Sequence, residues 1–327
     1  MTTLNSILRT FRRNWGRFGL LLVNLAFWAF FAWKGGGFLT EYNLYTLLRF
    51  AAIQITIGFA QMVALSAGEM NLSVGAIGGV VAMFSGGLME VLGVPPLAAA
   101  ALGLLLGAVA GLINGLLITR TGINSFIITL ATSSIFTGLM LIATKADGFD
   151  KLPDSLILLG RARTFGLALS PLVWVMLAAG VLLFLLYNST AFGREILAVG
   201  ANRRAAQMSG VRVERIIVTA HILSAGLAGL AGVMTIAMLG SAVPVIGTDW
   251  LMASFVVPAV GGTLISGGNA SVFGAVMGGL LIGTISNGVL LLNVSNFFVN
   301  FFLGLVLLLA VGLDRLRKIY AERTSLS

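Results

Sequence analysis

The chain has 327 residues, of which 58% are hydrophobic and only 9% charged, and its formal net charge is +9. Soluble domains usually carry about 25% charged residues, so this composition excludes an ordinary water-soluble protein and indicates that lipid is the main solvent. The positive charge would suggest nucleic-acid binding in a soluble protein. Here the basic residues lie in short loops between apolar stretches, which is typical of membrane proteins, and we expect no nucleic-acid partner.

About ten apolar stretches approach the roughly 20 residues that a helix needs to cross the hydrocarbon core. The first follows four arginines and has no small-residue cleavage site, so we interpret it as a retained helix and not as a signal peptide. The third begins in a Gly-rich break and the eighth is short, so either could be re-entrant. The predicted spans are 18–33, 44–66, 72–91, 95–118, 124–143, 171–188, 216–239, 251–266, 271–292 and 296–313.

The spans predict an all-α polytopic membrane protein, and the distribution of Lys and Arg predicts its orientation. With the N-terminus inside, 14 of the 20 basic residues are cytoplasmic. Cytoplasmic loops of membrane proteins carry such an excess, so both termini are expected inside and the number of spans is expected to be even. We treat 1–327 as one permease-like domain with a cytoplasmic segment 1–17, a cytoplasmic loop 189–215 and a cytoplasmic tail 314–327.

A weak repeat relates the two halves of the chain. Asn-Gly-Leu-Leu at 114–117 closes the fourth span, and Asn-Gly-Val-Leu at 287–290 lies late in the ninth. These spans run in opposite directions in the predicted topology, which favours an inverted repeat of spans 2–5 and 7–10. Glycine-rich apolar helices also resemble one another by chance, so both interpretations stay open.

The cytoplasmic loop 189–215 is the most informative stretch of the chain. Asn202 is a good N-cap and Gly210 a good C′ residue, so about two turns of helix are expected between them. Such a short helix is marginal alone in water and needs a surface to dock against. From composition alone, an ordinary positively charged loop remains the alternative.

Three motifs resemble those of the ribose/xylose/autoinducer-type permeases of bacterial ABC importers. The cytoplasmic loop matches the family pattern T-x-x-G-x-x-x-x-A-x-G-x-N-x-x-A-A-x-x-x-G, and Leu-Ser-Val-Gly at 72–75 matches its D-L-S-V-G. A later glycine run matches G-G-x-S-L-x-G-G-x-G-x-x-x-G. The matching residues outside 72–75 are Thr190, Gly193, Ala198, Gly200, Asn202, Ala205, Ala206, Gly210, Gly261, Gly262, Gly267, Gly268 and Gly274.

The resemblance implies a permease subunit of a bacterial inner membrane that works as a dimer, with itself or with a sister permease. It would receive a sugar-like solute from a periplasmic binding protein and use the ATP hydrolysis of a cytoplasmic ATPase. That ATPase would seat Ala205, Ala206 and Met208 in a cleft and meet the arginines at its rim. The expected coupling residues are Gly193, Asn202, Arg203, Arg204, Ala205, Ala206, Met208 and Gly210.

The chain departs from this family where the family usually reads Gly-Ile-Asp-Leu-Ser. Here the segment 68–73 reads Gly-Glu-Met-Asn-Leu-Ser, so Asn71 replaces the carboxylate and Glu69 adds one nearby. A carboxylate near the membrane is costly and usually functional, but Glu69 is unremarkable if it lies at the cytoplasmic surface. These departures bear on the identity of the solute more than on fold or coupling.

A hydroxyl-rich solute needs amides, hydroxyls and aromatic faces along its route. We expect Asn71, Ser73, Asn124 and Asn287 to line that route, because the asparagines flank predicted breaks near the repeat-related positions. For each residue the alternative is interhelical hydrogen bonding, which is common in membrane bundles.

Catalytic chemistry finds no support in the sequence. The chain has one histidine, His221, and no cysteine, so it offers no His/Cys metal cluster or catalytic triad. It also lacks a G-x-x-x-x-G-K-[ST] phosphate-binding loop, and we predict a non-catalytic subunit without a cofactor. A self-contained secondary active transporter is the main alternative, but it would need membrane-embedded carboxylates, and Glu69 is the only plausible one. A membrane enzyme is weaker still.

Overall fold

The computed structural model describes residues 19–164, 169–295, 298–299, 301–305, 308 and 312. Over these residues the regular structure is helical without strands, and one isolated bridge joins Phe149 to Ala242. Helices are the expected form for such a composition, because a backbone in lipid finds hydrogen-bond partners only within its own helix. The predicted all-α class is confirmed.

Within the described ranges, seven helices are long and apolar enough to cross a membrane: Glu41–Ser66, Val74–Leu92, Pro96–Thr121, Ser125–Thr144, Pro171–Ser189, Val213–Leu239 and Val272–Leu291. In the predicted tenth span, residues 298–299, 301–305, 308 and 312 are described and are helical, and the other residues of that span lie outside the described residues. The predicted cytoplasmic segments 1–17 and 314–327 also lie wholly outside them. The helices are α1 (Gly19–Lys34), α2 (Glu41–Ser66), α3 (Val74–Leu92), α4 (Pro96–Thr121), α5 (Ser125–Thr144), α6 (Asp154–Arg161), α7 (Pro171–Ser189), α8 (Ala191–Ala201), α9 (Arg203–Met208), α10 (Val213–Leu239), α11 (Trp250–Val260) and α12 (Val272–Leu291).

Local capping explains where several of these helices begin. The hydroxyl of Ser170 accepts the backbone N–H of Leu172 at the start of α7, and that of Ser271 accepts the N–H of Gly274 at the start of α12. Each cap satisfies one backbone donor that the first turn of a helix leaves unpaired. These polar residues at the span ends therefore fix the helix starts to within a few residues of the predicted boundaries.

The predicted eighth span, 251–266, is only partly helical. α11 has 11 residues, which makes it about 16 Å long and half the thickness of the hydrocarbon core. It ends at Val260 because Gly261 and Gly262 follow, and Gly262 has a φ of +83° that favours glycine. The segment 240–249 before it is not a regular helix. The broken geometry agrees with the re-entrant alternative for this span.

The segment 240–249 runs along α3 with almost no side chain between the two backbones. A Cβ on Gly79 would overlap the carbonyl oxygen of Ile246. Gly75 and Gly247 face each other so closely that a Cβ on either would overlap the carbonyl oxygen of the other. We call Gly75, Gly79 and Gly247 the glycine seam. It brings an irregular segment against a membrane helix, as small residues allow in helix packing.

α2 and α10 form the centre of the bundle and pack against each other. α10 also packs on α3 and α4, whereas α2 also packs on α11 and α12. Glycines permit both sets of contacts, because a Cβ on Gly58 would overlap Val257 of α11 and one on Gly232 would overlap the carbonyl oxygen of Gly78 of α3. Each of the two central helices therefore packs on two helices from the opposite half of the chain.

α5 is the least buried of the long helices. In an apolar stretch of 18 consecutive residues, 17% of the residues of α5 are buried inside the chain, against 78% for α2. Both helices are apolar enough to span a membrane, so hydropathy alone does not distinguish them. The outer face of α5 is therefore available to lipid or to another subunit.

Candidate translocation and coupling site

Glycines of two of the sequence motifs meet the end of α2 at one end of the bundle. Gly68 follows α2, Gly200 lies in α8, and Gly267 and Gly268 lie between α11 and α12. A Cβ on Gly200 would overlap the carbonyl oxygen of Ser66, and one on Gly267 would lie 2.7 Å from the Cα of Gly68. We call these four glycines the glycine junction. Residues with a side chain would force the three backbones apart.

α8 turns back against the end of α7 and carries the cytoplasmic loop onto this junction. A Cβ on Gly193 would overlap the carbonyl oxygen of Leu186, so this predicted coupling residue serves a close helix approach. The hydroxyls of Tyr187 and Ser66 lie 2.7 Å apart and join α7 to the end of α2. The loop is therefore fastened to the bundle before α9 begins.

The short helix that the sequence predicts between Asn202 and Gly210 is confirmed as α9, Arg203–Met208. The side chain of Asn202 accepts the backbone N–H of Ala205 at 3.0 Å, as expected of an N-cap. Gly210 has a φ of +85°, and the N–H of Val211 returns to the carbonyl oxygen of Ala206 at 3.1 Å. Local sequence thus defines both ends of α9.

The three residues expected to form one apolar face for ATPase docking do not all lie on the same face of α9. Met208 is 84% exposed and Ala205 is exposed, whereas Ala206 is 5% exposed and packs in the hydrophobic core of its own chain. Residues 205 and 208 lie on one side of a helix and 206 is rotated by about 100° from 205. Ala206 is therefore not on the exposed face of α9, which Arg204, Ala205, Gln207 and Met208 form.

The side chain of Arg203, which is expected to meet the rim of an ATPase, is 51% exposed and is also held by its own chain. Its guanidinium forms an ion pair with the carboxylate of Glu69 and also donates to the carbonyl oxygen of Gly68 at 3.4 Å. Glu69 is 2% exposed, so it is not an exposed surface carboxylate, although it lies at the end of the bundle that carries α9. Burial raises the pKa of the Glu69 carboxyl above its usual value, opposed by a hydrogen bond from Ser125 and by the charge of Arg203.

Beside this ion pair lies a cavity of about 400 Å³, lined by Glu69, Arg203, Asn124 and Glu214 among others. Asn124, a predicted pathway residue, is exposed and is the N-cap of α5, where its side chain accepts the N–H of Phe126 at 2.8 Å. Its amide therefore has a structural role, although it also borders a polar cavity on the side of the molecule that carries α9.

Asn71 and Ser73 lie together in a fully buried hydrogen-bonded network. The amide of Asn71 donates to the hydroxyl of Ser224 on α10 at 2.9 Å, and its oxygen accepts the hydroxyl of Ser73 at 2.7 Å. The amide of Asn114 on α4 donates to the same Ser73 hydroxyl at 2.8 Å. The network joins α4, α10 and the start of α3, so the interhelical alternative describes these two residues.

Asn287 lies apart from the other predicted pathway residues. Its amide donates to Asn43 and its oxygen accepts from the amide of Asn43, both at 2.9 Å, which joins α12 to the first turn of α2. The four predicted pathway residues therefore occupy three separate places. None of the other three contacts Asn287 through a hydrogen bond among the described residues.

Sequence reasoning missed the residues that hold the segment 67–73 between α2 and α3. The hydroxyl of Ser125 accepts the N–H of Met70, and that of Thr129 accepts the N–H of Leu72, both at 3.0 Å. Their spacing of four on α5 places both hydroxyls on one helix face, which is a signal that the sequence does contain. The contact of that face with the segment 67–73 depends on the tertiary structure and does not follow from the local sequence.

Comparison of the sequence with known proteins points to one family. Residues 43–311 match the model of the family described as branched-chain amino acid transport system / permease component. The chain is 38% identical over 280 residues to the ribose import permease protein of Bacillus subtilis strain 168, covering 85% of this chain and 86% of the relative. It is 35% identical over 280 residues to the D-allose transport system permease protein of Escherichia coli K12, covering 85% of each.

A third relative is the L-arabinose ABC transporter permease protein of Azospirillum brasilense, which is 32% identical over 307 residues, or 92% of this chain and 88% of the relative. No solved structure matches the chain significantly. The family match covers most of the sequence and includes the glycine junction, α9 and the buried Asn71 network. The chain belongs to the branched-chain amino acid transport system / permease component family.

Proposed function

We propose that the chain is the non-catalytic membrane subunit of a bacterial ABC importer for a monosaccharide. The observation that carries this is the attachment of the exposed helix α9 to the buried segment 67–73, through the Arg203–Glu69 ion pair and the glycine junction. A self-contained transporter has no need of such an exposed, rigidly mounted cytoplasmic helix. The permease names of the ribose, allose and arabinose relatives support the solute class.

In this proposal, α9 receives the movement of a partner ATPase on its exposed face, which includes Met208. The movement passes to Glu69 through Arg203, because separating a buried carboxylate from its only cation is costly. Glu69 lies two residues before Asn71, whose network holds α4 and α10. A displacement of α9 would therefore reach the centre of the bundle and shift it between outward-open and inward-open states.

The packing pattern supports the finer topology of about ten spans with an inverted repeat. α2 packs on α11 and α12 as α10 packs on α3 and α4, with Gly58 and Gly232 at corresponding contacts. Such an exchange of partners is expected when spans 2–5 and 7–10 are related by a pseudo-two-fold axis. Membership of the permease family favours an inner membrane location, and the charge bias favours cytoplasmic termini.

The remaining partners follow from the exposed surfaces. The poorly buried α5 would face a second permease subunit across the solute route, either a copy of this chain or a sister permease. The periplasmic solute-binding protein would meet the opposite end of the bundle from α9. The alternative of a secondary transporter is weakened because Glu69, the only buried carboxylate among the described residues, is committed to Arg203.

The test is reconstitution in liposomes with and without the partner proteins. We expect uptake of D-ribose, D-allose or L-arabinose only when the ATPase, ATP and the binding protein are all present. An ATPase variant that binds but does not hydrolyse ATP is the matched control. Uptake by this chain alone under an ion gradient would overturn the importer and support a secondary transporter.

A further inference from the structure

A small cavity of about 240 Å³ lies between α3, α5 and the segment 244–251. Ser133 and Thr137, in the middle third of α5, form one wall, and Thr248 lies on the opposite segment. The glycine seam supplies the rest, because Gly75, Gly79 and Gly247 leave space where side chains would stand. The cavity is separate from the Asn71 network and from the polar cavity beside Glu69.

The hydroxyls that face this cavity differ from the other hydroxyls of α5. Thr129, Thr132 and Thr144 each donate to a backbone carbonyl oxygen three or four residues earlier, which is the usual arrangement in a membrane helix. Ser133 and Thr137 make no hydrogen bond to any described residue. Two unused hydroxyls four residues apart therefore face the same space near the middle of α5.

An unused hydroxyl in a membrane is costly unless water or a ligand meets it. The described residues that line the cavity carry no charge, which disfavours an ionic or zwitterionic ligand. The hydroxyl of Thr248 donates to the carbonyl oxygen of Val245 at 2.8 Å, which leaves its oxygen free to accept. The wall thus offers both donors and acceptors to a neutral molecule rich in hydroxyl groups.

The volume of the cavity further limits the class of ligand that it can hold. Pockets for drug-sized ligands are typically about 300–1,000 Å³, so this cavity suits a smaller solute. We propose that Ser133, Thr137 and Thr248 form a transit subsite for one monosaccharide inside the permease. This inference rests on the proposed function and adds the residues that contact the solute, which the four predicted pathway residues do not supply. A transit site must release its solute, so weak binding is expected.

Cysteine labelling tests the subsite directly, because the chain contains no cysteine and each introduced thiol is unique. The full chain is purified into lipid nanodiscs as Ser133→Cys or Thr137→Cys and treated with a charged methanethiosulfonate reagent. We expect labelling, and we expect D-ribose, D-allose or L-arabinose to slow it by about tenfold at ten times the dissociation constant.

Two variants provide matched controls. Ala178→Cys lies on an exposed face of α7 and does not line the cavity, so the charged reagent should not reach it through lipid. Ser209→Cys at the end of α9 should label freely and gain no protection from sugar. L-Leucine is the competing solute, because the family description names branched-chain amino acids.

Absence of labelling at both cavity positions, or labelling that no sugar slows, overturns the subsite. Protection by L-leucine without protection by any of the three sugars overturns its assignment to a monosaccharide. The labelling needs neither ATPase nor ATP, so its failure is separate from a failure of the importer. ATP-driven sugar uptake with unprotected cysteines would leave the proposed function standing and remove this inference.

Discussion

The glycine junction and the cavity wall of α5 use membrane helices in opposite ways. At the junction, backbones touch, and the buried carboxylate of Glu69 has both a cation and a hydroxyl as partners. On the cavity wall, Ser133 and Thr137 have space in front of them and no partner among the described residues. A region that transmits movement is stabilised when all its polar groups form hydrogen bonds or ion pairs. A region that admits a solute must keep some polar groups free to bind that solute. The two regions should therefore respond differently to substitution.

The largest effect is expected at the junction itself. In Gly200→Ala, the new Cβ would overlap the carbonyl oxygen of Ser66 and lie 2.5 Å from the amide nitrogen of Gly268. Both neighbours are backbone atoms that cannot move without separating α8 from α2, so we expect a loss of about 3 kcal/mol or more. Thermal unfolding in detergent measures it, with Gly226→Ala as control because no atom lies within 4 Å of its Cβ. Equal melting temperatures would contradict the junction.

The two alanines of α9 should differ sharply when each is replaced by glutamate. Ala206→Glu places a carboxylate at a position that is buried in the hydrophobic core, and we expect a destabilisation of about 3 kcal/mol. Ala205→Glu lies on the exposed face and should change stability by less than about 0.5 kcal/mol while weakening ATPase association. Unfolding and co-purification measure the two effects. ATPase retention by Ala205→Glu would remove this face from the interface.

Arg203→Gln is expected to cost about 1–3 kcal/mol, because it leaves a buried carboxylate without its cation. Glu69→Gln should cost less, since the Arg203 side chain is 51% exposed and water can replace its partner. Both variants should also lower the sugar imported per ATP hydrolysed. The double variant should regain stability relative to Arg203→Gln but stay poorly coupled, which a purely structural pair would not show.

The stability cost of Arg203→Gln should depend on pH. Burial raises the pKa of Glu69 in the folded chain, and this variant lacks the charge that opposes the shift, whereas the unfolded value stays near 4.5. The folded variant then holds a proton that the unfolded chain releases. Its deficit should be small below about pH 4.5 and should grow as the pH rises. A deficit that grows towards acid pH would contradict the burial of this carboxyl.

The smallest change in stability is expected on the cavity wall. Ser133→Ala removes a hydroxyl that bonds to no described residue, so the free energy of unfolding should change by less than about 0.5 kcal/mol. Solute uptake should nevertheless need a higher sugar concentration. Measuring KM beside the melting temperature separates the two effects. A clear loss of stability with an unchanged KM would make Ser133 a packing residue.

Local sequence signals predicted the elements of this molecule well. Asn202 and Gly210 predicted α9, and the apolar stretches predicted the long helices within a few residues, because caps and hydrophobic length act locally. Contacts between distant segments were not predictable from one sequence. The burial of Glu69, the inward turn of Ala206 and the pairing of Asn287 with Asn43 each depend on which helices become neighbours.

The resemblance to known permeases predicted more of the candidate site than the hydropathy pattern did. Its three glycine-containing motifs, far apart in the sequence, contribute to one junction and to the seam beside the cavity. Hydropathy could not separate the buried α2 from the exposed α5, because lipid and protein interior favour the same apolar residues. Polar residues in spans were likewise ambiguous between solute contacts and interhelical bonds until their partners were known.

The glycine seam has a mechanical consequence. Where side chains interlock, two packed elements move past one another only if rotamers change, and each blocked rotamer adds to the barrier. Gly75, Gly79 and Gly247 place no side chain between α3 and the segment 240–249. At these three positions the segment 240–249 can shift along α3 without a change of rotamer, beside the cavity in which a solute would pass.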